Sequence, residues 1–134
     1  MNKTCKHTLR SVSLFFLAVL IAAMALCTGC ADAQTQPGEK TITVDIVFAD
    51  GTTTTETITT DAEYLRGALE EKSLIAGDES EYGLFVKTVA GVTVDESNQE
   101  WWCFTKGGEA LFTGVDTTPI ADGDKFEITL TVGY

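Results

Sequence analysis

The sequence predicts an α+β fold in which one helix packs on a mixed β-sheet. Three observations carry that prediction. Apolar residues alternate with others at Ile42, Val44, Ile46 and Phe48, and again at Phe126, Ile128, Leu130 and Val132, the period of half-buried strands. Between these ends a single stretch, around Leu65, Ala68 and Leu69, has helical spacing. The segments between are short, β-favouring and separated by glycine-containing turns.

In order, the first strand runs through Ile42 to Phe48, and Asp50-Gly51 is a hairpin turn signal. The threonine-rich run after it is β-favouring and polar, so it reads as an exposed return strand with Ile58 facing in. Thr60 and Glu63 then stand at capping-box spacing. They open a helix through Leu65, Ala68 and Leu69, and Gly77 is expected to stop it. Gly67 costs that helix about 1 kcal/mol relative to alanine and is expected to mark close packing against the sheet. A third strand spans Leu84 to Val89, followed by Gly91 and a polar loop. Trp101 to Thr105, a turn at Gly107-Gly108 and Ala110 to Thr113 read as a hairpin. A loop with a tight turn at Asp122-Gly123 leads into the last strand. The order β-β-α-β-β-β-β with one helix is a β-grasp-like arrangement.

The N-terminus has a different character. Lys3, Lys6 and Arg10 precede an apolar run from Val12 through Leu26, broken only by Ser13. This is a charged n-region and an h-region of signal-peptide length, shorter than the roughly 20 residues of a membrane span. Thr28, Gly29 and Cys30 close it in a pattern that resembles a bacterial lipobox, with Cys27 where leucine is usual. The expectation is a lipoprotein signal peptide over residues 1–29, lipidation at Cys30, and a polar tether through residue 39. The alternative is ordinary secretion with cleavage near Ala31 to Ala33. Two acyl chains, at roughly 0.8 kcal/mol per buried CH₂, suffice for stable anchoring. The expected location is the extracellular face of the cell membrane.

Such processing removes three of nine basic residues and no acid, leaving six against twenty and a net charge of −14. That balance excludes nucleic acid as a partner, because phosphate neutralisation dominates such binding. The one histidine, His7, goes too, as do Cys5 and Cys27. Cys103 is then the one cysteine of the folded part, so no internal disulfide is expected. No Ser-His-Asp or Cys-His set remains, nor a histidine metal ligand. Carboxylates and carbonyls would suit Ca²⁺ at most. Residues 40–134 suffice for one small domain and are too few for two.

At the level of motifs, "EYLRGALEEKSLIAGDESEYGLFVKTVAGV" and "WWCFTKGGEALFTGVDTTPIADGDKFEITLTV" resemble the transcobalamin-like C-terminal domain family, a domain of unknown function in bacterial surface proteins. The shared pattern is a Leu-bearing helix, a Tyr-Gly before a strand, a Trp-x-Phe strand, a hairpin, and an Asp-Gly-Asp before the last strand. The resemblance covers about residues 40–134. It implies a β-grasp-like fold and kinship with the C-terminal half of the animal cobalamin carriers, where this domain closes over the corrinoid from one side. In those carriers a large helical domain supplies the other half, and this chain has none.

Four groups are candidate sites. Trp101 and Trp102 are adjacent in a strand and face opposite sides of the sheet. One can be core and the other an aromatic platform for a flat ligand or a partner, or both can pack. The resemblance implies a ligand rim of Tyr82, Gly83, Phe112, Thr113, Gly114, Val115 and Asp116; simple loop packing is the alternative. Asp78, Glu79 and Glu81 cluster, as do Asp95, Glu96 and Glu100, as a Ca²⁺ site or a solvated acidic surface. Cys103 has only Lys106 nearby to activate it and reads as a small packed residue.

The function expected is non-catalytic binding by a cell-surface lipoprotein. Its ligand would be a small molecule, a cobalamin-like corrinoid among the candidates, with no cofactor and no metal. The alternative is a protein-interaction or adhesion module of a surface assembly. A concave pocket near Trp101 or Tyr82 would favour the first. A flat apolar patch or an open sheet edge would favour the second.

Overall fold

The computed structural model describes residues 35–134; Cys30 and the expected signal peptide lie outside them. Alternation at the start of this region produces β1 (Lys40–Val47), whose Ile42, Val44 and Ile46 are fully buried. The Asp50-Gly51 turn returns the chain as β2 (Thr53–Thr60), antiparallel to β1, and Ile58 opposes Ile42 in the core. The last strand, β8 (Lys125–Val132), lies parallel to β1, with Val44 beside Phe126 and Ile46 beside Ile128. β6 (Glu100–Lys106) pairs antiparallel with β8, and the short β7 (Glu109–Ala110) completes a mixed sheet of order β2-β1-β8-β6-β7. One helix, α1 (Leu65–Glu71), adds Leu65, Ala68 and Leu69 to the same core. Each large aliphatic side chain buried this way contributes about 1.5–3 kcal/mol. The α+β expectation of one helix on a mixed sheet is met.

Four local expectations are not met. The helix does not run to Gly77. It closes after Glu71 where Ser73 takes a left-handed conformation, and Ser73 and Leu74 donate their N–H groups back to Glu70 and Leu69. Ile75–Ser80 then forms a strand, β3, paired with β4 (Gly83–Val89), and β5 (Val92–Thr93) joins β4 in a second, three-stranded sheet of order β3-β4-β5. Gly77 sits at a bulge in that pairing, where a Cβ would stand 1.9 Å from the Phe85 carbonyl oxygen. Only a residue without a side chain lets the strands meet there.

The capping box also fails to form. Thr60 Oγ1 accepts the Ala62 N–H instead, and the first helical N–H groups go to a loop: Leu65 to the Thr118 carbonyl and Arg66 to that of Val115. A neighbouring backbone satisfies the orphan donors that a capping side chain would otherwise take. Gly67 packs against the segment entering the helix, 2.9 Å from Ala62 Cβ at its missing Cβ, and not against the sheet. The hairpin after Gly107-Gly108 stops at Ala110 and gains one further bond, from Leu111 N–H to the Phe104 carbonyl.

Candidate functional site

Two strands with free edges approach each other where the sheets meet. On β6, the Phe104 carbonyl accepts Leu111 N–H and the Glu100 N–H goes to the Asp95 carbonyl, both away from β8. Backbone groups alternate in direction along a strand, so Trp102 also directs its N–H and C=O away from β8. On β4 the Phe85 carbonyl faces Gly77 of β3, so Leu84 and Val86 direct theirs the other way. The two edges do not join in a ladder. Their link is a side-chain bond, from Trp102 Nε1–H to the Lys87 carbonyl at 3.2 Å.

The space between these edges is a groove of about 380 Å³. Its walls are Leu84, Val86 and Phe85 from β4 and Trp101 through Phe104 from β6; Ala110 through Val115 close one side. The lining is mainly apolar. Trp102 points inward, is 5 % exposed, and meets Phe48 edge to face at 6.3 Å. Trp101, on the opposite face, is half-buried and fixed by its Nε1–H to the Gly133 carbonyl at 2.8 Å. Phe112 stands fully exposed at the groove's flank.

The residues expected to form an aromatic platform and a ligand rim divide. Trp101, Trp102, Phe112, Thr113, Gly114 and Val115 line the groove. Tyr82 does not; it is exposed at the tip of the β3–β4 turn. Asp116 does not line it either. Its Oδ2 accepts the Leu84 N–H at 2.8 Å, in the place where a neighbouring strand's carbonyl would stand. Its Oδ1 meets Arg66 at 2.5 Å. Gly83 has φ +104° and a Cβ there would come 2.5 Å from Asp116 Oδ2, so it admits the carboxylate, and it does not line the groove. Of the acidic groups, Asp78 and Glu96 hold Lys87 and Glu79 holds Arg66. Among the described residues no three His, Cys, Asp or Glu side chains converge as a group that could hold a metal ion.

Residues 62–132 match the model of a family described as "Domain of unknown function (DUF4430)". The chain belongs to the DUF4430 family. A search of curated proteins gives no match to it. Among solved structures, a Ruminococcus gnavus ATCC 29149 protein described as a "putative metal binding protein" is 50% identical, with a TM-score of 0.70. The match covers 72% of this chain and 100% of that one, so a chain of about this extent folds by itself. Haptocorrin, solved in complex with Cbi, is 16% identical with a TM-score of 0.59, over 74% of this chain and 27% of that one. That likeness shows the transcobalamin-like fold.

In this DUF4430 chain the groove's support is an ionic hub that the sequence reading missed. Arg66 projects from α1 and meets Glu70 at 2.8 Å, Glu79 of β3, and Asp116 of the loop after the groove. These three, Glu79 foremost, hold its guanidinium well above its ordinary pKa. For Asp116, burial pushes the carboxyl up, but the Arg66 guanidinium and the Leu84 N–H outweigh that and keep it below the usual carboxylate range. A carboxyl lowered on folding stabilises above its unfolded pKa of about 4 and loses that contribution as pH falls through the folded value. The urea midpoint should therefore drop as pH falls below about 5, through the folded value that lies under the usual carboxylate range, and Arg66→Met should shrink that drop. An unchanged pH dependence in the variant would remove Arg66 from this role. The hub is part-exposed and screened by solvent, so at neutral pH the variant should cost little stability.

Proposed function

We propose that this chain is a non-catalytic, ligand-binding surface lipoprotein, anchored through Cys30, whose groove between β4 and β6 takes part of a flat small molecule, with corrinoids as the leading class. The observation that carries the reading is the groove itself. A concave, apolar space of about 380 Å³ beside a half-buried and a fully exposed aromatic, Trp101 and Phe112, has the size and lining of ligand sites. The likeness to haptocorrin, whose structure holds Cbi, supports the corrinoid class. The groove is open on one side, which suits a domain that covers one face of a ligand while another surface covers the rest.

The test is calorimetric titration of residues 35–134 with cobinamide and with cobalamin. Saturable heat at micromolar ligand is expected, and Phe112→Ala should weaken it about tenfold. Phe112 is fully exposed, so that variant leaves the fold intact. No heat at tens of micromolar with either corrinoid would defeat the corrinoid reading. The anchor is tested separately, by incorporation of a labelled fatty acid that is lost in Cys30→Ser.

A second reading draws on the free edges. Trp102 of β6 and Val86 of β4 offer backbone donors and acceptors to the groove, the equipment for adding an extended segment of a partner protein. Failure with small molecules together with binding of an extended peptide would favour it.

A further inference from the structure

A second cleft lies on the other side of Trp101, and its chemistry differs from that of the groove. It measures about 540 Å³ and is lined by Phe85, Trp101 and Tyr134 together with Asp78, Glu96, Glu100 and Lys87. Phe85 is 55 % and Tyr134 91 % exposed. Three large aromatics from β4, β6 and the segment after β8 therefore gather at one solvent-facing place, where single exposed aromatics would be unremarked. The three carboxylates face one ammonium, an excess of two negative charges.

The protein's own cation shows what this cleft holds. Lys87 Nζ lies 2.7 Å from Asp78 Oδ2 and 2.6 Å from Glu96 Oε1, and 5.9 Å over the Phe85 ring. The carboxylates are already served with donors. Asp78 and Glu96 have Lys87, and Glu100 accepts Asp95 N–H at 2.8 Å and Asn98 Nδ2 at 3.1 Å. They give an incoming group a negative field more than hydrogen-bond acceptors. Such a field bordered by aromatic rings suits a bulky, weakly hydrated cation with no N–H to satisfy. A hard cation such as Ca²⁺ needs six to eight free oxygen ligands, and these carboxylates are turned to N–H groups instead.

We propose that this cleft binds a quaternary ammonium group, with Trp101, Phe85 and Tyr134 as its aromatic walls and Glu100 as a charge partner. The cleft shares Trp101 and Phe85 with the groove, but its charged side chains and Tyr134 are its own, so the proposal stands or falls without the corrinoid reading.

The experiment titrates residues 35–134 with choline and with its neutral isostere 3,3-dimethylbutan-1-ol, following the Trp101 indole N–H by NMR. Choline should saturate in the millimolar range and the isostere should bind about fivefold more weakly or worse. Glu100→Gln should weaken choline several-fold, and Lys87→Met, which removes the competing cation, should tighten it. Phe112→Ala, which touches only the groove, should leave it unchanged. Equal binding of choline and the isostere would overturn the proposal, as would a Trp101 signal unmoved by choline or a Glu100→Gln variant that binds as well as the parent.

Discussion

Trp102→Ala is expected to lower the unfolding free energy by about 4 kcal/mol, near the centre of the range for large aromatic truncations in a core. The indole is 5 % exposed, packs edge to face on Phe48, and bonds to the Lys87 carbonyl. The truncation therefore opens a cavity and cuts the link between the two sheets. Trp102→Phe separates these effects. It keeps most of the apolar volume and removes the bond; Lys87 O still accepts the Val94 N–H, so the added cost of the lost bond should stay near 1 kcal/mol. Urea unfolding reads both. A cost under 1 kcal/mol for the alanine variant would mean that Trp102 is not the joint the packing makes it.

Gly77→Ala should be nearly as damaging, at about 3 kcal/mol. The new methyl would meet the Phe85 carbonyl oxygen at 1.9 Å, with Lys87 N also at 3.0 Å. Both obstacles are backbone, so no side chain can swing away. Relief requires β3 to leave β4. The natural control is Gly114→Ala, where a Cβ meets nothing within 4 Å and φ is not left-handed; it should stay within about 0.5 kcal/mol. Amide exchange should locate the damage, with protection lost over 75–89 while β1 and β8 keep theirs. Uniform loss across both sheets would show instead that they unfold as one unit.

The strands that were legible in the sequence are those with one face in the core and one in solvent. β1, β8 and β6 announce themselves because Ile42, Val44, Ile46, Phe126, Ile128, Trp102 and Phe104 keep a period of two. β3 keeps none. Only Ile75 of its six residues is buried, and the rest, Ala-Gly-Asp-Glu-Ser, reads as a loop. Its strand conformation comes from its partner β4, information that lies outside its own residues. The helix start misled for a related reason: Thr60 and Glu63 have the right spacing, yet a loop fifty residues downstream reached the helix N-terminus first.

The groove was half legible. Trp101 was expected as an aromatic platform from its strand position, and Phe112 with the residues around Gly114 through family resemblance; all of them line it. Leu84, Val86 and Phe104 line it too, but in sequence they look like any core strand residues. That they border a gap depends on two edges failing to pair. Arg66 was missed altogether, because an arginine on a helix carries no sign of which carboxylates the fold will bring to it.

The parallel pairing of β1 with β8 has a mechanical consequence. The chain enters the sheet at Lys40 and leaves it at Val132, at opposite ends of two adjacent strands, about 33 Å apart along their axis. A pull applied between the chain before Lys40 and a group held near Trp101 and Tyr134 would run along these strands. The five paired positions from Thr43–Lys125 to Val47–Thr129 then share the load in shear, where a hairpin pulled from one end would unzip bond by bond. Resistance to such a pull is set by the unfolding rate under force and not by equilibrium stability. A domain of modest size with this strand order is suited to holding on while its surroundings move.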